Sequence, residues 1–423
     1  ATPRERDYLA AVAALFRDSG TVPQQTRALA YEQAMERLYL TYPADREAAV
    51  FYALALNATA LPTDKTFANV RKAAALLEEV FAEQPEHPGV THYLIHSYDY
   101  PPLAPEGVPF AQRYTGLAPA VPHAQHMPSH IFTRVGHWQE SIASNLGARA
   151  AAVAAAPQPP PGVAPVDALH ATDYLMYAHL QLAQDRVAKG LLDDVAALRG
   201  APERQPEAYA FGAIPARYVL ERGSWAEAAA LPLHPADYNW SRFPEAEAVA
   251  VFARALGAAR SGDAAGAGPE VDRLAALRDA LTARGDPYWA EQVDIRREVA
   301  LAWTARAAGR NEEALALARR AADREDATDK HPVTPGPILP ARELLGELLL
   351  ELNAPAEALA AFEASHRVEP NRFRGLYGAA RAAELAGATE TARRYYGQLL
   401  VLGAHADEER PELQRARAFV SAR

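Results

Sequence analysis

The sequence predicts an all-α protein, a solenoid of about ten stacked helix pairs. Three observations predict it. Residues recur in register near the C-terminus: Asn353 and Gly387, Ala358 and Ala392, and Phe362 and Tyr396 are each 34 residues apart. A short opening recurs upstream, as GHWQESI from Gly136, GSWAEAA from Gly223 and GRNEEAL from Gly309. No alternation of period two is sustained anywhere, so no strand is predicted. With 423 residues the chain is long for one compact core unless its architecture is repetitive.

The elements follow in order. Arg6–Asp18 and Thr26–Leu40 read as a degenerate first pair, Asp45–Leu56 and Phe67–Glu83 as a second. Pro85 and Pro119, again 34 apart, end two consecutive units. Ala183–Leu191 and Gly262–Gly268 read as weaker copies of the glycine-led helix start. Alanine lets neighbouring helix backbones approach, and an aromatic one turn on fills the gap. Two proline-rich segments, 156–165 and 328–340, cannot be helical, because proline lacks the N–H and clashes with the preceding turn. Both read as loop insertions in a single solenoid spanning 1–423. The second, carrying Lys330 and His331, is a candidate to fold over the concave groove.

On these motifs the chain resembles the tetratricopeptide repeat family, as a divergent, His-rich member of bacterial type. That family's helix–turn–helix unit has a 34-residue period, and its second helix typically reads G-x-Y-x-x-A-(I/L). The resemblance implies a right-handed α-solenoid. It also implies that helix positions 2, 5, 9 and 12 of each unit commonly face the concave groove. The Lys and Asn with which many members grip a C-terminal carboxylate are absent here; His, Asp and Tyr stand in their place.

The most informative side chains are histidines. Seven of the 13 crowd between His87 and His137. The pair His92 and His96 is repeated 34 residues later as His126 and His130. Residues four apart share one helix face. The repeat register therefore predicts that all four imidazoles project from equivalent places and hold a metal ion. Asp99, His123, His170 and Asp173 are candidates for a further ligand or for carboxylate and imidazole partners behind the ligands. Pro128 is the weak point. A helix starting at Pro128 leaves His126 outside it, and one starting at Pro122 is kinked there. A lone groove histidine is ordinarily just a polar residue, and His179, His234, His366 and His405 read that way.

A second polar set falls on groove positions further along: Tyr177, Glu343, Glu347, Arg374, Tyr377 and Arg381. They suit a charged or amide ligand if the solenoid curls far enough to bring its walls together. Surface pairing of i,i+4 type is the plainer reading.

Composition bounds the function. The net charge of −10 and the lack of a Lys/Arg stripe argue against nucleic acid. There are no cysteines, so thiolate sites and Cys nucleophiles are excluded, and Zn, Cu(II), Ni or Fe suit the imidazole set. No run of about 18 apolar residues appears, and mean hydropathy is −0.22. A soluble protein is expected, cytoplasmic or exported. The leading expectation is a binding protein with a His-rich site for a divalent ion, Zn or Cu, and a peptide or small molecule in its groove. A metal-dependent hydrolase or oxidoreductase using the same histidines, and a metal-free interaction scaffold, are the rivals.

Overall fold

The computed structural model describes residues 1–61, 63–156, 159–408 and 410–422. Among them the secondary structure is helical, apart from an isolated bridge between Val163 and Gly200. The chain divides into two compact units, Ala1–Pro119 and Ala120–Arg423.

The first unit holds three antiparallel pairs: α1 (Pro3–Phe16) with α2 (Gln24–Thr41), α3 (Arg46–Thr59) with α4 (Ala68–Glu83), and α5 (Pro88–Tyr98) with α6 (Ala104–Tyr114). The caps are local. Thr2 and Glu5 form a capping box at the start of α1, and Pro88 occupies the first turn of α5.

The second unit begins with α7 (Pro122–His126) and α8 (Pro128–Arg134), which pair with α9 (Trp138–Ala155). Then follow α10 (Ala168–Gln181) and α11 (Asp185–Ala196), α12 (Gln205–Glu221) and α13 (Trp225–Ala229), α14 (Pro244–Arg260) and α15 (Ala264–Ala283). The last pairs are α16 (Pro287–Ala307) with α17 (Asn311–Asp326), α18 (Ala341–Glu351) with α19 (Pro355–Val368), and α20 (Phe373–Leu385) with α21 (Thr389–Leu402). Helix α22 (Pro411–Ser421) closes the chain. The described residues thus make ten tetratricopeptide-like pairs, three in one unit and seven in the other.

The recurrent turn residues have a common conformation. Gly136, Gly223, Gly262, Gly309 and Gly387 all lie at positive φ, as do Ala183 and Asn353 at equivalent turns. Each ends a first helix in the left-handed conformation that lets the chain reverse within a few residues. Small residues then let the helices close up. A β-carbon on Gly212 of α12 would stand 2.5 Å from the Ala246 carbonyl of α14. The Phe362 ring, fully buried, sits in the notch left by Gly346 and Gly378 on the two flanking helices.

Within the second unit the end of the stack returns to its beginning. Trp138 Nε1 donates to the Asn371 carbonyl (2.8 Å), and Gln181 accepts from the Phe373 N–H (2.9 Å). Arg410 grips Asp185 with two nitrogens, at 2.9 and 2.5 Å. The inner surface is consequently enclosed, and the segment 328–340 runs through it. Residues 333–336 and 338–340 are buried. Buried irregular backbone must find hydrogen-bond partners. Four prolines in this segment, Pro332, Pro335, Pro337 and Pro340, have no N–H to satisfy. The carbonyls are met from the helices. Tyr174 Oη reaches the Pro332 and Thr334 carbonyls (3.2 and 3.3 Å). Arg217 donates to the Pro337 and Gly336 carbonyls and the Thr334 hydroxyl at 2.8–3.0 Å. The His331 ring lies tilted against those of Tyr288 and Trp289, with centroids 5.7 and 5.1 Å away. The segment thus packs against residues of α10, α12 and α16. Of the other proline-rich segment, 156–165, residues 157–158 lie outside the described residues.

Candidate metal centre

The uncertain point, Pro128, resolves in favour of the histidines. Met127 links α7 to α8 with φ −53 and ψ −40, so the helical path continues through the break. Pro128 has no N–H for the Ala124 carbonyl, and the turn tightens, with His130 N–H donating to the Met127 carbonyl (3.1 Å). Only the hydrogen-bond ladder is interrupted. His126 and His130 remain one turn apart on one face, with their Nε2 atoms 3.0 Å apart.

His170, from the first turn of α10, completes a cluster. One ring nitrogen from each of His126, His130 and His170 lies within 4.8 Å of the other two. The His126 and His170 rings are 4.4 Å apart. Metal–nitrogen bonds of about 2.0–2.1 Å, with Nε2 atoms 3.0 Å apart, give an angle at the ion of roughly 90–95°.

The tautomer of His126 is fixed by its neighbour. Its Nδ1 is 2.7 Å from Asn145 Oδ1, and the Asn145 amide nitrogen donates to the Ser141 carbonyl (2.8 Å). The amide cannot reverse without losing that bond, so Oδ1 accepts from Nδ1–H and leaves Nε2 with its lone pair toward His130. This is how imidazole ligands are usually oriented from behind. His126 and His130 are 3% and 2% exposed. Burial, reinforced by His170 and His130, holds the His126 pKa well below its ordinary value. Burial, with lesser contributions from His130, His123, Lys330 and Arg204, pushes His170 down to about 3. Both rings are therefore neutral at pH 7, the state in which imidazole binds a metal. His170 Nδ1 is buried and has no hydrogen-bond partner among the described residues. Tyr174 backs all three rings, with centroids 4.5, 5.4 and 5.4 Å from His126, His130 and His170. Its hydroxyl ties the cluster to the segment 328–340.

The remaining predicted residues separate into groups. In the first unit His92 and His96 repeat the geometry, with Nε2 atoms 3.1 Å apart and His92 Nδ1 3.2 Å from Tyr114 Oη. Asp99 does not extend their stripe. Helix α5 ends at Tyr98, ahead of Pro101 and Pro102, and Asp99 is its buried C-cap. In the second unit His123 lies exposed on α7, its ring 6.4 Å from that of His126. Asp173 is not behind a histidine. It holds Arg217 at 2.8 Å, both fully buried, and burial raises its carboxyl pKa.

The second polar set divides as well. Tyr177 and Glu343 are buried around Arg372, whose nitrogens reach Tyr177 Oη (2.5 Å), Glu343 (2.8 Å) and Glu221 (2.7 Å). These groups join α10, α12, α18 and α20 and face no open space. Glu347, Arg374, Tyr377 and Arg381 instead line a cleft of about 530 Å³ in the same unit. Sequence reasoning missed Asn145, Tyr174 and Arg372. A signal existed for Asn145: Ser141, Ser144 and Asn145 share one face of α9 with Ala148 and Ala152, a polar patch on the buried side of an apolar helix.

No protein-family model matches the chain, and no curated protein does. Solved structures do resemble it at low identity. They include the APC/C hetero-tetramer Cut9-Hcn1 (10% identity, 99% of this chain and 83% of that one, TM-score 0.35). The tetratricopeptide repeat domain of P58(IPK) is another (14% identity, 89% and 98%, TM-score 0.25). A monomeric mutant of IFIT1 with m7Gppp-AAAA is a third (12% identity, 89% and 77%, TM-score 0.36).

Proposed function

We propose that this protein is a tetratricopeptide-like binding protein that holds a divalent transition metal, Zn or Cu, on His126, His130 and His170. The observation that carries the reading is the trio itself: three converging imidazoles, two buried and one half-buried, one oriented by Asn145 and one with an unpartnered nitrogen. Imidazole without thiolate suits Zn, Cu(II) or Ni. Three nitrogens leave a coordination position open for a water or a ligand atom. His92 and His96 offer two nitrogens in the first unit, a weaker set for the same ions.

The number of ligands favours one second reading. Three imidazoles plus an open position is the arrangement of catalytic metal sites, in which the ion lowers the pKa of bound water or polarises a carbonyl. A metal-dependent hydrolase or oxidoreductase therefore stands behind the binding protein. No catalytic base is assigned, because Asp173 is committed to Arg217.

Elemental analysis of purified protein after loading with Zn(II) tests the reading. Stoichiometric metal is expected, lost in His126→Ala and His170→Ala and retained in His92→Ala. Replacement by Co(II) distinguishes a four-coordinate site with water from a saturated one by the intensity of its visible bands. Absence of bound metal at neutral pH would sink both metal readings and leave an interaction scaffold built on the helix pairs.

A further inference from the structure

We propose that the 530 Å³ cleft of the second unit binds a small zwitterion of the amino-acid class. Its carboxylate would lie on Arg222, Arg381 and Tyr377, and its ammonium group on Glu412. The cleft is distinct from the histidine cluster and shares no lining residue with it.

Some of the charged lining is already committed. Glu347 receives Arg260 (2.6 Å) through one oxygen and Arg374 through the other. The Arg260 guanidinium lies over the rings of Trp225 and Trp303, at 4.3 and 3.9 Å. These groups form a fixed wall with little left to offer a ligand.

Four lining groups are not committed in this way. The Arg222 guanidinium rests over the Tyr218 ring at 4.6 Å and comes no closer than 3.9 Å to Asp185. Asp185 is already held by Arg410 through both oxygens. Among the described residues Arg222 makes no side-chain hydrogen bond. Arg381 uses one nitrogen, Nη1, on Glu384 (2.6 Å). Glu384 is shared with Arg415 and Tyr396, so positive charge is in excess there. Among the described residues the Tyr377 hydroxyl has no hydrogen-bond partner, and Glu412, in the first turn of α22, has neither a hydrogen bond nor an ion pair. Arg381 and Glu412 act on Tyr377 in opposite directions, which places the cation and the anion near one hydroxyl.

Guanidinium and phenol groups with donors to spare call for a planar anion, and a carboxylate takes guanidinium N–H groups in pairs. A simple anion would face the Glu412 carboxylate unshielded. A ligand with an ammonium group resolves both ends at once. Leu350 and Leu385 supply apolar surface for its side chain.

Calorimetric titration of the full chain with each proteinogenic L-amino acid, at millimolar concentration, tests the proposal. At least one is expected to bind saturably. Its decarboxylated amine should bind at least tenfold more weakly, and so should the corresponding acid without the amino group. Arg222→Met should weaken the amino acid by tenfold or more while leaving the amine unaffected. Glu412→Gln should weaken the amino acid and leave the acid unaffected. Among the described residues Glu412 holds no other, so Glu412→Gln should keep the wild-type melting temperature. Arg222→Met gives up only the Tyr218 ring contact and the 3.9 Å approach to Asp185, which Arg410 already holds, and should lower it only slightly. Failure of every amino acid to bind overturns the proposal. So does binding of amine or acid as tight as the parent, or binding that is insensitive to both substitutions.

Discussion

Asn145→Leu separates a metal centre from a fortuitous group of histidines. In the native chain Asn145 Oδ1 takes the Nδ1 proton of His126 at 2.7 Å, in a site where Asn145 is fully buried. Leucine has similar bulk and no acceptor, so the proton is free to sit on either nitrogen. In the Nε2–H form His126 turns a proton toward the ion instead of a lone pair. Loss of a partner behind a ligand typically costs about 10–100-fold in metal affinity. That is about 1.4–2.7 kcal/mol at about 1.36 kcal/mol per decade. A buried Nδ1–H left unpaired costs about 1–3 kcal/mol in the metal-free protein as well. Asn145→Leu should therefore lower both the Zn(II) affinity and the melting temperature of the apoprotein. Asn145→Asp keeps an acceptor in the same place and makes it negative, so its Zn(II) affinity should equal or exceed that of the native protein.

Competition against a chromophoric chelator reads the affinities, and nitrogen-15 correlation spectra of the imidazoles read the tautomer directly. The native His126 should show the Nδ1–H pattern, and Asn145→Leu should show a mixture. Zn(II) affinity in Asn145→Leu within a factor of two of the native value would refute the reasoning. Asn145 would then be a core amide, and the histidines near it would hold nothing that depends on their orientation.

The other predictions concern what holds the second unit together. Arg372→Met removes the partner of Glu221 and Glu343 in a fully buried site, and chemical denaturation should show a loss of about 3–5 kcal/mol. Gly378→Ala places a methyl 2.2 Å from the Phe362 ring, and the same assay should show a loss of about 1–3 kcal/mol. His331 is pushed down to about 4, mainly by burial and secondarily by Lys330, and its Nδ1 accepts from the Val333 N–H at 3.1 Å. The folded state therefore binds fewer protons than the unfolded chain between pH 6.5 and 4. Its contribution is complete above pH 6.5 and lost as pH falls toward 4, by about 3 kcal/mol for a pKa lowered from 6.5 to about 4. His331→Phe should flatten that part of the stability profile; an unchanged acid limb would show that the ring is already solvated.

Much of the helical layout was legible because it rests on local rules. The turn residues Gly136, Gly223, Gly309 and Gly387 announce themselves by type, and all adopt the left-handed conformation. The spacing of Ala358 and Phe362 against Ala392 and Tyr396 reports how the last helix pairs interlock, and all four are buried. His126 and His130 were legible for the same reason, being one turn apart on one helical path. His170 could be placed only by the repeat register, and its convergence with the other two depends on how α10 packs against α9. Arg372 was out of reach. Its partners Tyr177, Glu221 and Glu343 come from up to 195 residues away, and no local pattern encodes a contact made only when the stack closes on itself.

That closure also explains why the groove residues divided. A solenoid with an open concave face exposes groove positions equally, and each polar one is then a candidate for binding. In the second unit the inner face is enclosed and occupied by 333–336 and 338–340. Polar groups there must find partners within the chain or be left unsatisfied at about 1–3 kcal/mol each. Arg217, Asp173, Arg372, Glu343 and Tyr177 are largely matched to one another and to proline-interrupted backbone, which ties them to architecture. Not every group is matched. His170 Nδ1 is buried without a partner. Arg222, Tyr377 and Glu412 face the cleft uncommitted. Lack of a partner does not by itself mark a site, since Asp173 Oδ2 and Glu221 Oε2 in the buried network also lack one among the described residues; what sets His170 apart is that two further imidazoles each bring a nitrogen within 4.8 Å of it.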